Sequence, residues 1–277
     1  MSGPNDASSR GSLISSIASS ALAEEIDPES VVAEFTYSPP RAASLTTEGV
    51  AAGGTAPTRY RIIVTNEMDA YDDPGSLAEM FATPLEVLKV GGDNFNGTSR
   101  RAAKLSIAKA PVENFADLKD LIATLPSTNA MVNHKPKIKD SKDSDRVKEE
   151  RRNVRLRVWL YAASREDDND FHFILGRAPG LTPKTFMTME LSGLPRANSQ
   201  VFARLKAARD AFKTFLSDHL PGLSYQFYDP PIPVEIEGSL FFDITHAKGT
   251  PPGPKKLRPN MPVIWEVHPI SKIVFEP

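Results

Sequence analysis

The chain has 277 residues, 40% of them hydrophobic and 25% charged, a formal net charge of −2, and no cysteine. That balance is ordinary for a globular protein and excludes any global electrostatic pull toward nucleic acid or membrane. Without cysteine, disulfides, zinc–thiolate sites, Fe–S clusters and thiol nucleophiles are excluded together, so a metal would have to rest on His, Asp or Glu.

Residues 1–57 are rich in Ser, Ala, Gly and Thr and poor in large apolar side chains. Such a segment buries too little surface to offset the entropy of ordering it, and it is expected to be a disordered arm. Ile14, Ile17, Ala18 and Ala21 have helical spacing, enough for a short helix induced by a protein partner. Serines at 15, 16, 19 and 20 break the apolar stretch around them, which argues against a signal peptide. No run approaches the roughly 18–20 apolar residues of a membrane helix. A cytoplasmic protein without a membrane partner is the expectation.

From Thr58 the character changes. Arg61–Val64 reads as a short strand, and Leu77–Phe81 and Leu85–Val90 as short apolar pieces. Asn114–Leu125 reads as a helix, with Phe115, Leu118, Leu121, Ile122 and Leu125 on one face and Pro126 as its stop. Residues 58–130 are therefore a small α+β region or an elaboration packed on the C-terminal part. Residues 131–152 are densely charged and read as a solvated linker.

The pattern is clearest from 153 to 277. Val154, Leu156, Val158, Leu160 and Ala162 alternate with Arg155, Arg157, Trp159 and Tyr161, the period of two that a strand requires. An acidic turn at 165–169 leads to a second strand over Asp170–Gly176, and Lys184–Leu191 is a third. A helix comes next, capped by Asn198 or Ser199, with Val201, Leu205, Ala208, Phe212 and Phe215 on one stripe. Val234–Ile244 and Val263–Phe275 supply the fourth and fifth strands. The fold class is thus mainly β with α: an OB-like five-stranded barrel with one helix between strands three and four.

Three motifs stand out in this region: Glu166-Asp167-Asp168-Asn169-Asp170-Phe171-His172, Phe241-Phe242-Asp243-Ile244-Thr245-His246 and Trp265-Glu266-Val267-His268-Pro269. By them the C-terminal part resembles a largely uncharacterised bacterial family built on an OB-like barrel. The resemblance covers under half of the chain and implies the fold without a secure activity. It departs at Ala247–Pro262, rich in proline and lysine where that family is rich in Gly and Asn.

Two constellations could carry function. Asp168, Asp170 and His172 share a strand face by their spacing of two, as do Glu266 and His268, while Asp243 and His246 close the fourth strand. Asp168, Asp170, His172, His246, Glu266 and His268 are ligand types for a divalent metal. Such a metal could activate water for phosphodiester hydrolysis, with Asp170, His172, Asp243 and His268 as the catalytic set and His172 or His268 as general base. A structural role explains the same residues without chemistry, since acidic turns are usually solvated.

The second constellation is basic and aromatic. Lys248, Lys255, Lys256 and Arg258 lie between strands four and five, and Arg155, Arg157, Trp159 and Tyr161 share one face of the first strand. Together they suit single-stranded nucleic acid, with stacking worth roughly 1–3 kcal/mol per base. Packing of Trp159 and Tyr161 in a second core is the plainer account. A binding module for single-stranded nucleic acid, a metal-dependent hydrolase and a protein-assembly module all remain open.

Overall fold

Alternation after Asn153 has the consequence expected of it: five strands whose pairing closes on itself. The structure is a computed structural model that describes residues 31–38, 57–68, 92–248 and 252–276. Its eight strands are β1 (Val31–Tyr37), β2 (Thr58–Val64), β3 (Val112–Phe115), β4 (Asn153–Arg165), β5 (Phe171–Gly176), β6 (Phe186–Leu191), β7 (Gln226–Phe242) and β8 (Trp265–Phe275). They form one sheet in the order β1-β2-β7-β8-β6-β5-β4-β3, and an additional β7–β4 pairing joins β4, β5, β6, β8 and β7 in a ring. Only β6–β8 runs parallel within that ring; its other pairings are antiparallel.

The alternating side chains divide this ring into an inside and an outside. Val154, Leu156, Val158, Leu160, Phe171, Phe173, Leu175, Met187, Met189, Leu191 and Val267 meet in one buried core. The one long helix, α4 (Phe202–Leu216), packs on β8 and sends Phe212 against Phe171 and Phe173. Phe215 stacks on Phe275 at 4.0 Å and reaches Phe35, Tyr37 and Tyr60 of the outer strands. The predicted stripe is therefore the packed one. Its cap differs from expectation: Val201 is the N-cap and offers no side-chain bond, while Ser199 accepts from the Val201 N–H just outside the helix.

Other expectations are corrected. Residues 31–38 fall in the expected disordered arm, yet β1 pairs antiparallel with β2, because Phe35 and Tyr37 find aromatic partners that local composition does not disclose. The rest of 1–56, with the apolar pieces at 77–81 and 85–90, lies outside the described residues. The helix expected at 114–125 is shorter: Phe115 ends β3, Asp117 caps, and α2 (Leu118–Ala123) follows a first short helix α1 (Arg101–Lys104). β3 takes the start because it pairs with β4 in parallel, a long-range bond that outweighs local periodicity. The apolar face still packs as expected, with Leu118 and Leu121 buried.

The segment 131–152, expected as a solvated linker, is exposed over much of its length but is anchored at a few buried positions. After α3 (Thr128–Val132), the connector buries Arg146 and Glu150. Arg146 donates to the carbonyl oxygens of Leu240, Ala103, Ser106 and His268. Glu150 takes a two-pronged pairing from Arg100 at 2.6 and 2.8 Å and accepts from the backbone N–H of Phe242 at 2.9 Å. Charge density suggests solvent exposure for this segment, but at Arg146 a guanidinium group satisfies carbonyls of β7, β8 and the α1 turn.

Removing one partner of a fully buried pair leaves the other charge stranded. Glu150→Ala is therefore expected to lower unfolding free energy by roughly 3–5 kcal/mol, measured by urea denaturation; a loss under about 1 kcal/mol, the range of exposed pairs, would contradict this role.

Candidate metal centre

The outer face of β5, β6 and β8 carries His172, Glu190, Glu266 and His268, each opposite in parity to the core residues beside it. The register sets His172 directly across from Glu190. The parallel β6–β8 pairing, with Thr188 beside Glu266, brings His268 to the same end. The β4–β5 turn adds Glu166, Asp168 and Asp170, and the end of β7 adds Asp243 and His246. A strap formed by residues 92–106 covers them.

This strap is held by backbone bonds between Phe95 and Leu194, between Leu194 and Asp93, and between Asn96 and Asp168. Gly193 makes its approach possible, because a Cβ there would meet the Phe95 Cα at 2.6 Å. From the strap, Lys104 reaches Asp168 Oδ2 at 3.1 Å and Asp170 Oδ2 at 3.6 Å.

The distances are short throughout. His172 Nδ1 lies 2.7 Å from Glu166 and 3.4 Å from Glu190. His268 lies 2.8 Å from Glu190 Oε2 through Nδ1, and 3.3 Å from Asp170 Oδ2 through Nε2. Its Nδ1 is 3.5 Å from Glu266 Oε2. Asp243 contacts the His246 ring and accepts from the Thr245 N–H at 2.8 Å. Four triads have ligand atoms within 4.8 Å of one another: Glu166/His172/Glu190, Asp170/Glu190/His268, Asp243/His246/Glu266 and Glu166/Asp168/Asp170.

Burial makes this crowding consequential, for Asp170, His172 and His268 are fully buried and Glu266 nearly so. Both carboxylate oxygens of Glu266, Oδ2 of Asp170 and Oε2 of Glu190 have no hydrogen-bond partner among the described residues. His268 is near enough to form an ion pair with all three of these carboxylates, and one imidazole has to serve them together.

Protonation states respond accordingly. Burial pushes Glu166 up to about 8, with Glu190 adding repulsion. Burial and then Asp168 push Asp170 to about 6; burial and then Glu190 push Glu266 to about 7. Burial works against the charge on His268 and on Lys104, yet surrounding carboxylates hold both well above their ordinary values. Glu190 goes the other way: burial opposes ionisation, but His268 and Lys104 hold it well below the usual carboxylate range. Asp243 is held low despite burial by His246 and Thr245.

The structure thus brings Asp168, Asp170, His172, Asp243, His246, Glu266 and His268 together. Three further members lie outside the set expected from sequence: Glu190, Glu166 and Lys104. Glu190 has a legible signal, as the one charge in β6. Lys104 has none, since only the strap brings it here.

The basic constellation fares differently. Arg155 pairs with Glu237 at 2.6 Å and Arg157 with Glu276 at 2.7 Å. Arg258 donates to the Gly253 carbonyl, and the Lys255 N–H donates to Glu67 at 2.7 Å. Lys248 lies in a short 3-10 turn (His246–Lys248). Tyr161 is buried in a second cluster with Phe186, Tyr225, Leu257 and Met261, and Trp159 packs against it. Trp159, Tyr161 and Lys256 also line one cavity.

Comparison of the chain with protein-family models, curated proteins and solved structures gives no match.

A carboxyl held above its free pKa is more protonated folded than unfolded, so it stabilises the fold below that free value and loses the contribution as pH rises through the folded one. The same sign holds for His268 and Lys104. Between about pH 5 and 8, where Asp170, Glu266 and Glu166 titrate, the chelator-treated protein is expected to melt at progressively lower temperature. A melting temperature that climbs across that interval would contradict these assignments.

Proposed function

We propose that this chain is an OB-like barrel protein that works through a divalent cation held on the outside of the barrel by Asp170, Glu190 and His268. Strand order supports the barrel reading. Numbered within the ring, β4 to β8 pair as first, second, third, fifth, fourth and back to first, with the long helix between third and fourth. In OB barrels the ligand face lies on the second and third strands, flanked by the first–second and fourth–fifth loops. The corresponding parts here are β5 and β6, the acidic turn 166–170 and the connection 243–264, which supply most of the cluster.

The observation that carries the cation reading is the convergence of buried carboxylate oxygens that accept no hydrogen bond from a described residue, Asp170 Oδ2 and Glu190 Oε2 beside both oxygens of Glu266, around the single imidazole of His268. Burying ions costs several kcal/mol each unless opposite charge compensates. Lys104 and three histidines face six carboxyl groups, so the remainder must take protons or a cation. Mixed carboxylate and imidazole donors without thiolate suit Zn2+ or Mn2+.

A second reading, phosphodiester hydrolysis, draws on a separate observation. The triads Asp170/Glu190/His268 and Asp243/His246/Glu266 share no residue, yet His268 and Glu266 are 3.5 Å apart. Two neighbouring cations could clamp the attacking and leaving oxygens of a phosphodiester, as two-metal hydrolases do. Metal-loaded protein that hydrolyses bis(4-nitrophenyl) phosphate, and stops in chelator, would favour this reading; inert loaded protein would leave the cation a binding or structural role.

Elemental analysis after dialysis tests the main reading. Retention of about one equivalent of Zn2+ or Mn2+ per chain is expected, released with protons on acidification. Asp170→Asn combined with His268→Ala should weaken binding at least tenfold, with the fold checked by circular dichroism. Protein that dialyses free of metal, and whose melting temperature ignores added Zn2+ and Mn2+, would refute it.

A further inference from the structure

At the opposite end of the β5–β6 hairpin from His172 and Glu190, where Gly176 pairs with Phe186, a separate cavity opens. Its volume is about 720 Å3, within the roughly 300–1,000 Å3 typical of small-ligand sites. One wall is aromatic and apolar, built from Trp159, Phe186 and Leu181, the last of these 44% exposed despite its size. The other is basic: Arg59, Arg61, Arg177, Lys184 and Lys256 line it, against two acids, Glu34 and Asp229.

Those acids are already engaged, Glu34 by Arg59 and Asp229 by Arg61. Arg177 is engaged elsewhere, by Asp117 outside the cavity and by the Pro183 carbonyl. Its backbone carbonyl takes the Tyr161 hydroxyl at 2.8 Å, which fixes that ring as floor and leaves it no free donor. The lining is positive by count, with five basic side chains against those two acids. Lys184 is exposed and makes no ion pair with any described residue, and Lys256 stands exposed on the β7–β8 connection across the opening.

We infer that this cavity binds one nucleotide unit of a single-stranded nucleic acid, its base stacked on Trp159 and its phosphate held by Lys184 and Lys256. A flat apolar wall beside exposed positive charge is the combination that base stacking and phosphate contact together require. The cavity shares no residue with the acid and histidine cluster, so this assignment stands apart from the cation. Arg157 lies over the Trp159 ring at 5.4 Å and does not line the cavity, so the base is placed on the part of the indole that the cavity exposes.

The chain has two tryptophans, and Trp265 is fully buried with its indole N–H donating to Pro126. Quenching of exposed tryptophan emission therefore reports on Trp159. Full-length protein is titrated at low salt with a fluorescently labelled oligothymidine, read by anisotropy, and in parallel with unlabelled oligothymidine and thymidine monophosphate, read by emission. Saturable binding with quenching is expected for the strand, with affinity falling as salt rises. Lys184→Glu with Lys256→Glu, both on exposed loops, should weaken it at least tenfold, and Trp159→Phe should abolish the quench while retaining part of the anisotropy change. Absence of binding at low salt, or unchanged affinity in the double lysine variant, overturns the site. Equal affinity for thymidine monophosphate overturns the strand as its source.

Discussion

Six carboxyl groups crowd onto one patch of sheet that water scarcely reaches, and the surrounding structure has to answer that charge. A carboxylate in such a place stays ionised only against a cation or a set of aligned donors. β5, β6 and β8 supply neither from their own backbones, because their N–H groups are spent on the sheet. Compensation comes from outside the ring, from Lys104 on the strap, from three imidazoles, and from protons retained on Glu166 and Glu266 near neutrality. A divalent cation would displace those protons and take the orphaned oxygens as ligands.

The same demand explains why a highly charged connector is folded into the protein. Arg146 joins four carbonyl oxygens that belong to the α1 turn, the end of β7 and the beginning of β8. Those are the pieces that carry Lys104, Asp243 and His268. Arg100 and Glu150 make a second tie at the end of β7 through the Phe242 N–H and carbonyl. These arginines touch none of the candidate ligands through their side chains; they set the distance between the elements that do. The connector is thus a positioning device for the site.

How much of this is legible in the sequence depends on the range of each interaction. The ring strands declare themselves because alternation is local, and the stripe on α4 does so for the same reason. The convergence of Asp170, His172, Asp243 and His268 depends only on the strand pairing, so it is implied once the ring is assumed. Glu190 could be found by asking why β6, with no other charged residue, carries a carboxylate. The strap, the buried role of Arg146 and the pairing of β1 could not. They depend on contacts across 21 to more than 120 residues of chain, as between Tyr37 and Thr58 or between Arg146 and His268, and no local pattern encodes which carbonyl an arginine will meet. Charge density misleads for that reason when it is taken as a mark of solvent exposure.

The hairpin of β5 and β6 carries a negative centre at one end and a positive cavity at the other, some four residues apart, or about 14 Å along a strand. A net charge of −2 conceals this separation. Fields of opposite sign at that range are little screened where the intervening space is protein, and Ile174, between His172 and Gly176 on β5, is buried in the second apolar cluster. A phosphate backbone entering the cavity would therefore be turned away from the His172 end at pH values where Glu166 and Glu266 give up their protons with no cation bound, and drawn toward Arg59 and Arg61 on β2. Filling the centre with a divalent cation removes the repulsion without altering the cavity. The direction in which a strand could leave the cavity is then set by the charge state of residues that it does not touch.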